Sequence, residues 1–338
     1  MNIIIPMAGM GKRMRPHTLT TPKPLIPIAG KPIVQRLVED IALLCKQPID
    51  EIAFVNGRFG EEAEQHLLNV AKAVGAKGRI CYQDEALGTA HAIMCAKEQL
   101  KGNVIVAFAD TLFYANFNLD TKQDGIIWVK QIPDPQQFGV VKINAEGIIT
   151  DFIEKPKDFI SDLAIIGIYY FADGENLRSE LQFLLDNNIR EKGEFQLTNA
   201  LENMKKKGKK FKTGEVTEWL DCGNKDATVY TNQRVLEHLN LPAEGRKEKL
   251  IAASAKNENS VIIAPCFIGE NVSLKNSTVG PYVSIGENTM IENSVITNSI
   301  IQTNTKIADR KLDNSMIGNF VTIRKVSDEL SVGDYNVM

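Results

Sequence analysis

The feature that most constrains the fold of this 338-residue chain is a unit of 17 residues that repeats in its last quarter. Asn-Ser-x-(Ile/Val) begins at Asn259, Asn276 and Asn293, and Ile-Gly-Glu-Asn begins at Ile268 and Ile285. Branched aliphatic residues also recur in two runs of six-residue steps, which are Ile262, Ile268 and Leu274, then Val279, Ile285 and Ile291. Three such steps per coil predict a β-helix, in which each coil buries its aliphatic side chains and stacks on the next.

We place this β-helix at residues 258–338, with about four irregular coils, and a linker at residues 241–257. The pattern resembles the left-handed β-helix of hexapeptide-repeat proteins. Because so few coils offer little core of their own, we expect the tail to pack against the remainder of the chain or against another subunit. A homo-oligomer through the β-helix is therefore left open.

Residues 1–240 have a different texture, in which short apolar runs alternate with helical patterns. Residues 3–6, 51–55 and 104–110 are predicted strands, while residues 33–46 carry apolar side chains on one helical face and polar ones on the other. Such alternation predicts an α/β fold with a largely parallel, buried sheet and helices on both faces. The next apolar runs follow one another more closely, which indicates a mixed or antiparallel extension of the sheet.

Composition and charge exclude several classes of protein. Hydrophobic residues make up 43% of the chain, and 39 basic against 42 acidic residues give a net charge of −3, which argues against a broad nucleic-acid surface. No apolar run approaches membrane-spanning length, and the N-terminus lacks a basic leader, so we expect a cytoplasmic protein without a membrane partner. The five cysteines show no CxxC pair and are predicted to be reduced thiols.

The loop after the first strand is the most informative segment for function. It reads MAGMGKR over residues 7–13 and PKPL over residues 22–25. Gly-x-Gly after a strand suits phosphate binding by backbone N–H groups, although the segment matches neither the dinucleotide fingerprint nor the Walker sequence. Arg13 and Lys23 add two cations beside the glycines, an arrangement that suits a nucleoside triphosphate.

Two acidic residues indicate a metal ion at the same site. Asp110 ends the apolar run VIVAFAD, and ligands of parallel sheets lie beyond the carboxyl ends of the strands. Asp221, in EWLDCGN, could join it. One or two carboxylates with phosphate oxygens and water are how proteins usually hold Mg²⁺ at nucleotide sites.

Seven segments together resemble the sugar-1-phosphate nucleotidylyltransferases, also called sugar-nucleotide pyrophosphorylases. They are GMGKRMRPHTLTTPKPLIPIAGKP from Gly9, YQDEALGTAHAI from Tyr82, FADT from Phe108, FGVV from Phe138, EKP from Glu154, IIGIYYF from Ile165 and EWLDCGN from Glu218. They span nearly all of residues 1–240, and the tail is similar to one found in several branches of that family. The resemblance implies a Rossmann-like nucleotidyltransferase domain at residues 1–240, with a mostly parallel mixed sheet, followed by the β-helix.

The resemblance also implies a role for each matching residue. The residues that would contact the nucleotide are Ala8, Gly9, Gly11, Gln83 and Gly88. The catalytic cations would be Arg13 and Lys23 on the triphosphate and Lys155 on the sugar 1-phosphate. The residues that would face the sugar are Gly139, Glu154 and Tyr169, and the carboxylates that would hold Mg²⁺ are Asp110 and Asp221.

The implied reaction is attack of the sugar's anomeric phosphate oxygen on the α-phosphorus of a nucleoside triphosphate, with release of pyrophosphate. The PKPL segment favours long-form thymidylyltransferases or mannose-1-phosphate guanylyltransferases, and we favour dTTP with glucose 1-phosphate. Many thymidylyltransferases read Ala-Gly-Gly where this chain reads Met7-Ala8-Gly9, and Ile166 stands where a Thr is common in the glucose-specific thymidylyltransferases. UTP or GTP with glucose, N-acetylglucosamine or mannose 1-phosphate therefore stay open.

Two other classes of function compete with this reading. The first is a non-catalytic regulatory or binding subunit of the same fold, which the presence of every expected cation and carboxylate disfavours. The second is a bifunctional enzyme whose β-helix is an acetyltransferase. Such chemistry generally relies on a histidine as general base, and no histidine follows His238 in this sequence.

Overall fold

A computed structural model describes residues 1–115, 119–241, 248–324 and 331–336. Its contacts divide the chain into two compact units. The first comprises Met1–Gly9 and Val34–Trp219, and the second comprises Met10–Ile33 and Leu220–Met338. From Met10 onward, the loop after the first strand thus belongs to the same unit as the repeats. The domain boundaries at residues 240 and 258 stay a prediction, and residues 242–247 of the expected linker lie outside the described residues.

The elements before the repeats alternate as the sequence predicts. The strands are β1 (Asn2–Pro6), β2 (Pro27–Ile28), β3 (Lys31–Pro32), β4 (Glu51–Asn56), β5 (Lys77–Tyr82), β6 (Val104–Ala107), β7 (Thr111–Tyr114), β8 (Gly125–Gln131), β9 (Gly139–Ile143), β10 (Ile149–Glu154), β11 (Leu163–Phe171), β12 (Phe211–Glu215) and β13 (Glu218–Asp221). The helices are α1 (Ile33–Cys45), α2 (Glu61–Ala73), α3 (Thr89–Met94), α4 (Gly174–Asp186), α5 (Leu197–Lys206) and α6 (Lys225–Asn240). Within the described ranges, every helix is too short or too polar to cross a membrane.

The first unit is built on a nine-stranded mixed sheet. Strands β6, β1, β4 and β5 are parallel neighbours, which is the buried Rossmann-like half. Strand β11 runs antiparallel to β6 and also contacts β8 and β9, so it begins the predicted antiparallel extension. Ile4, Val106 and Phe171 are fully buried in the core of this sheet. The α/β fold class with a mixed, Rossmann-like sheet is therefore confirmed.

The second unit contains the predicted β-helix. Its strands are β14 (Lys256–Glu258), β15 (Val261–Ile262), β16 (Cys266–Ile268), β17 (Ser273–Lys275), β18 (Thr278–Val279), β19 (Val283–Ile285), β20 (Met290–Glu292), β21 (Val295–Ile296), β22 (Ile300–Ile301), β23 (Lys306–Ala308), β24 (Lys311–Leu312), β25 (Met316–Ile317), β26 (Thr322–Arg324) and β27 (Ser331–Val332). Over the described residues they form three parallel sheets, two with five strands and one with four. Each coil adds one strand to each sheet, and the sequence predicts about four coils.

The repeated Asn-Ser pair has a separate role for each residue. Asn259, Asn276 and Asn293 have φ near +50°, at 52°, 48° and 47°, a conformation that asparagine tolerates better than most side chains. The serine after each one bonds to the coil beside it, since the amide of Ser277 donates to Ser260 Oγ at 2.9 Å. Asparagine therefore turns the corner, serine joins the coils, and the aliphatic residue at the fourth position of the unit packs into the core.

Candidate active site

Gly139 and Glu154, two of the predicted sugar-binding residues, are brought together by the pairing of β9 with β10. They are direct partners in this antiparallel ladder. A Cβ on residue 139 would lie 3.2 Å from Glu154 Oε2, so the absence of a side chain leaves space over the carboxylate. The Thr198 hydroxyl donates to the same oxygen at 3.4 Å. A carboxylate held in this way can accept hydrogen bonds from sugar hydroxyls.

Lys155, the predicted partner of the sugar phosphate, follows β10 directly. Its φ is +43°, and its backbone amide donates to Phe138 O at 3.2 Å, which fixes the turn. The side chain is about half exposed, and its Nζ lies 3.6 Å from Glu154 Oε1. Lys192 Nζ donates to Lys155 O at 2.9 Å. A positive side chain thus projects beside the Glu154 carboxylate and remains open to solvent.

Tyr169 lies in the same part of the sheet but is deeply buried. Its ring contacts Phe108 edge-on at 6.2 Å and lies parallel to Phe171 at 6.4 Å. Burial and then the charge of Glu154 raise the pKa of the Tyr169 phenol well above its usual value, so the hydroxyl stays protonated. A direct contact of Tyr169 with a sugar stays a prediction.

Gln83, the predicted reader of the base, is held by groups around the start of α3. Its Nε2 donates to Gly88 O at 3.2 Å and lies 3.1 Å from His91 Nδ1. The amide nitrogen has no lone pair to accept with, so His91 Nδ1 is the acceptor and is unprotonated. Burial lowers the pKa of His91, which favours this neutral state. His91 is thus a positioning partner of Gln83.

Gly88 has no room for a side chain. Its φ is +111°, and a Cβ there would lie 2.5 Å from Phe195 O and 2.7 Å from Phe195 N. The amide of Ala90 donates to Phe195 O at 2.9 Å, and the amide of Phe195 donates to Leu87 O at 2.8 Å. This backbone pairing presses residues 87–90 against residue 195, and only glycine fits between them.

Ala8, Gly9 and Asp110 also belong to the first unit. Gly9 is exposed, and no atom lies within 4 Å of a Cβ built on it. Asp110 is half-buried and follows β6, at the carboxyl end of the parallel strands. A Cβ on Gly57 would lie 3.5 Å from Ala8 O, so Ala8 runs beside the end of β4.

In the second unit, Gly11 and Lys23 are brought together inside the loop. Gly11 has a φ of +56°, and a Cβ on it would lie 3.0 Å from Lys23 Cβ and 3.0 Å from Thr18 Cγ2. The Thr18 hydroxyl donates to Gly11 O at 2.9 Å. Lys23 is only 8% exposed, an unusual burial for lysine. The loop is therefore tightly packed around its second glycine.

Arg13 and Asp221 are also close neighbours in the second unit, beside Gly223. A Cβ on Gly223 would lie 2.6 Å from Asp221 Oδ2 and 3.2 Å from Arg13 Nη2. A predicted metal carboxylate and a predicted phosphate cation thus share one corner of the unit.

The donor chemistry at Asp110 and Asp221 fits Mg²⁺, which prefers hard carboxylate oxygens and keeps other positions for phosphate and water. Over the ranges described by the structure, no group of three or more His, Cys, Asp or Glu side chains could hold a metal by itself. A metal at either aspartate would therefore depend on oxygen atoms from the bound phosphates and from water.

Thr198 and Thr18 were missed by the sequence reasoning, although both brace residues that it identified. Thr198 lies in the first turn of α5 and contacts Glu154, and Thr18 lies between Arg13 and Lys23 in the loop. A hydroxyl near a helix start has many uses, so Thr198 carries no specific signal. Thr18 lies within the glycine-rich segment that the sequence identified, and this position is the only feature of the sequence that could have indicated its role.

Comparison with known proteins gives matches along almost the whole chain. A family model described as nucleotidyl transferase matches residues 2–238. The low-salt glycan biosynthesis nucleotidyltransferase Agl11 of Haloferax volcanii is 28% identical and covers 96% of this chain and 94% of its own length. The glucose-1-phosphate thymidylyltransferase of Streptomyces antibioticus is 28% identical, with 96% and 93% covered. The bifunctional protein GlmU of Methanocaldococcus jannaschii is 30% identical, with 91% and 74% covered.

Among solved structures, a UDP-glucose pyrophosphorylase complexed with UDP-glucose resembles this chain with a TM-score of 0.58. The two sequences are 22% identical, and the match covers 70% of this chain and 98% of that one. At this identity the likeness concerns the fold, and it agrees with the mixed Rossmann-like sheet described above.

Proposed function

The chain belongs to the nucleotidyl transferase family and is a sugar-1-phosphate nucleotidyltransferase, and from this premise we propose that its substrates are dTTP and glucose 1-phosphate. The observation that carries this choice is the end-to-end match to glucose-1-phosphate thymidylyltransferases. The Streptomyces griseus enzyme of that name covers 99% of this chain and 98% of its own length. The match therefore includes the β-helix as well as residues 2–238.

In the proposed reaction, an oxygen of the sugar 1-phosphate attacks the α-phosphorus of dTTP. A new oxygen–phosphorus bond forms, and the bond between the α-phosphorus and the oxygen bridging to the β-phosphorus breaks. Pyrophosphate leaves with the electron pair of that bond. The attacking phosphate is already anionic, so no general base is required, and catalysis depends on orientation and charge stabilisation.

We assign the charge stabilisation to three side chains. Arg13 and Lys23 would compensate the charge of the triphosphate, and Lys155 would bind the incoming sugar phosphate. The position of Lys23 supports its part, because the residue is largely buried in the loop and its Cβ packs beside Gly11. Mg²⁺ bound at Asp110 and Asp221 would supply further charge neutralisation at the phosphates.

We assign sugar recognition to Glu154, with Gly139 leaving the space that a sugar ring would occupy. The 3.2 Å distance to a Cβ on residue 139 and the bond from Thr198 support this part. Gln83 and Gly88 would read the base, and Ala8 with the two loop glycines would contact the nucleotide. The predicted cytoplasmic location belongs to the same proposal.

A substrate matrix tests the proposal. Pyrophosphate release is measured with dTTP, UTP, GTP, ATP and CTP, each against glucose, mannose, galactose and N-acetylglucosamine 1-phosphates. The proposal predicts the highest kcat/KM for dTTP with glucose 1-phosphate. UTP with N-acetylglucosamine 1-phosphate is the second candidate, because Met7-Ala8-Gly9 departs from the Ala-Gly-Gly that many thymidylyltransferases carry. A higher kcat/KM for that pair would replace the first.

A further inference from the structure

The last described coil of the β-helix, residues 331–336, contacts the glycine loop within the second unit. His17 Nε2 shares a hydrogen bond of 2.8 Å with Ser331 Oγ. The His17 side chain is only 1% exposed, so its ring is enclosed at this contact. A Cβ on Gly333 would lie 3.0 Å from Pro16 Cβ, which means that the coil and the loop are in van der Waals contact beside the hydrogen bond.

A second polar contact joins the same two segments. The Thr20 hydroxyl donates to Asp334 Oδ2. The other carboxylate oxygen of Asp334 accepts a bond from the Asn319 side chain at 3.2 Å and one from the Asn319 amide. Asn319 Nδ2 in turn donates to Gln302 Oε1 at 2.9 Å. The carboxylate that receives Thr20 is thus fixed by the two preceding coils.

These contacts lie next to the residues that shape the phosphate-binding part of the loop. Thr18, which bonds to Gly11 O, stands between His17 and Thr20 in the sequence. Gly11 in turn packs against the Cβ of Lys23. A displacement of residues 17–20 would therefore move the Thr18 hydroxyl that holds Gly11, and with it the backbone that packs against Lys23.

The segment that carries Asp221, the neighbour of Arg13, is also bonded to the β-helix. Lys225 Nζ, in the first turn of α6, donates to Asn314 O at 2.8 Å. Asn314 Nδ2 donates to Asp226 Oδ1 at 3.0 Å. Helix α6 begins four residues after Asp221, so the late coils hold both segments that carry Arg13 and Asp221.

We propose that the last coils of the β-helix position the triphosphate-binding loop, with His17 and Thr20 as positioning residues through Ser331 and Asp334. This inference rests on the proposed function, which gives Arg13 and Lys23 to the triphosphate. The repeat is then part of the nucleotide site, although it supplies no group to the reaction. Substitutions at Ser331 should affect triphosphate binding through a contact that joins residues 314 positions apart.

Two gentle substitutions test the proposal in the full-length chain. Ser331→Ala and Thr20→Val, alone and combined, each remove one hydroxyl from the contact. Ser254→Ala is the matched control, because the Ser254 hydroxyl also bonds to a carboxylate, that of Glu270, in the first coil. The KM for dTTP and the KM for glucose 1-phosphate are measured for each variant, together with thermal unfolding.

Loss of two hydrogen bonds is expected to raise the KM for dTTP about tenfold in the double variant, with the KM for glucose 1-phosphate changed less than about twofold. Ser254→Ala is expected to match the wild type. The proposal is overturned if the double variant matches Ser254→Ala, or if both KM values rise together with a lowered unfolding temperature.

Native-state cleavage by trypsin provides a readout that does not depend on activity. Lys12 and Arg13 are exposed in the loop, and cleavage after them should be about tenfold faster in the double variant than in the wild type or Ser254→Ala. An unchanged cleavage rate would overturn the positioning role. If the wild type turns over none of the sugar phosphates, the proposed function fails, while this measurement still decides whether the coil holds the loop.

Discussion

Gly139 and Glu154 face each other across the antiparallel pair of β9 and β10, and a methyl group on residue 139 would lie 3.2 Å from Glu154 Oε2. The carboxylate is also bonded by Thr198. An added methyl group would therefore press against a carboxylate that is already hydrogen-bonded. The space above Glu154 therefore exists because its partner, Gly139, has no side chain.

Gly139→Ala is expected to raise the KM for glucose 1-phosphate about tenfold, because an overpacked contact of this kind costs roughly 1–3 kcal/mol. The KM for dTTP should change less than about twofold. Steady-state kinetics with each substrate varied in turn checks this. Thr198→Val should act in the same direction, since it removes a hydroxyl that donates to Glu154. An equal rise in both KM values would contradict a role confined to the sugar.

Gly88→Ala should destabilise the protein more than Gly60→Ala, which is its matched control. Both glycines precede helices with similar backbone angles, at φ +111° and φ +93°. Residue 60 has open space, whereas a Cβ on residue 88 would overlap the Phe195 backbone. We expect backbone strain to lower the free energy of unfolding by about 2 kcal/mol in each variant. The clash with Phe195 should lower that of Gly88→Ala by about 2 kcal/mol more. Denaturant unfolding measures both, and equal losses would refute the clash.

The neutral state of His17 predicts a pH dependence of stability. Burial, with a smaller contribution from Lys225, lowers the pKa of His17 to about 4, while Asp334 opposes the shift. The unfolded chain binds a proton at this residue near pH 6.5 and the folded chain does not. The contribution of His17 to the free energy of unfolding is therefore fully present above about pH 6.5. It falls by about 3 kcal/mol as the pH drops to about 4.

The unfolding free energy of the wild type and of His17→Gln, measured between pH 4 and pH 7, isolates this contribution. Carboxylates remote from His17 affect both proteins equally, so the difference between the two curves belongs to His17 and its interaction with Asp334. The wild type should lose its advantage as the pH falls. Parallel curves would show that His17 is not buried as a neutral ring.

Removal of Mg²⁺ should abolish turnover, and Asp110→Asn should lower kcat about 100-fold or more at saturating Mg²⁺, the scale of one lost electrostatic contact at the transition state. Asp186→Asn is the matched control, because Asp186 is exposed at the end of α4 and accepts a hydrogen bond from Gln182. Turnover is measured before and after chelation and re-addition of the metal. Near-normal kcat in Asp110→Asn would reject the metal assignment.

Much of the fold could be predicted because local periodicity decides it. The apolar alternation gave the parallel strands, and the six-residue steps up to Ile291 gave the buried positions of the first coils. Beyond that point partners such as Ile291 and Ile307 stand 16 residues apart rather than 17. The shortened coil breaks the 17-residue repeat, so the repeat alone does not give the number of coils.

The packing of the glycine loop with the β-helix could not be predicted. His17 and Ser331 are far apart in the sequence, and neither belongs to a periodic pattern that would pair them. Likewise, the position of Thr198 beside Glu154 depends on how α5 packs against β10. Sequence motifs identify residue types suited to a reaction, whereas tertiary contacts decide which neighbours hold them in place.

Exchange of labelled pyrophosphate tests the central claim most directly. The full-length protein is incubated with thymidine diphosphate glucose, Mg²⁺ and radiolabelled pyrophosphate, and labelled dTTP is quantified beside the Asp110→Asn variant. A sugar-1-phosphate thymidylyltransferase must run this reverse reaction, so the wild type should form labelled dTTP at a rate at least about 100-fold above that of the variant. Absence of labelled triphosphate from the wild type, with this and with the uridine and guanosine diphosphate sugars, would contradict the account.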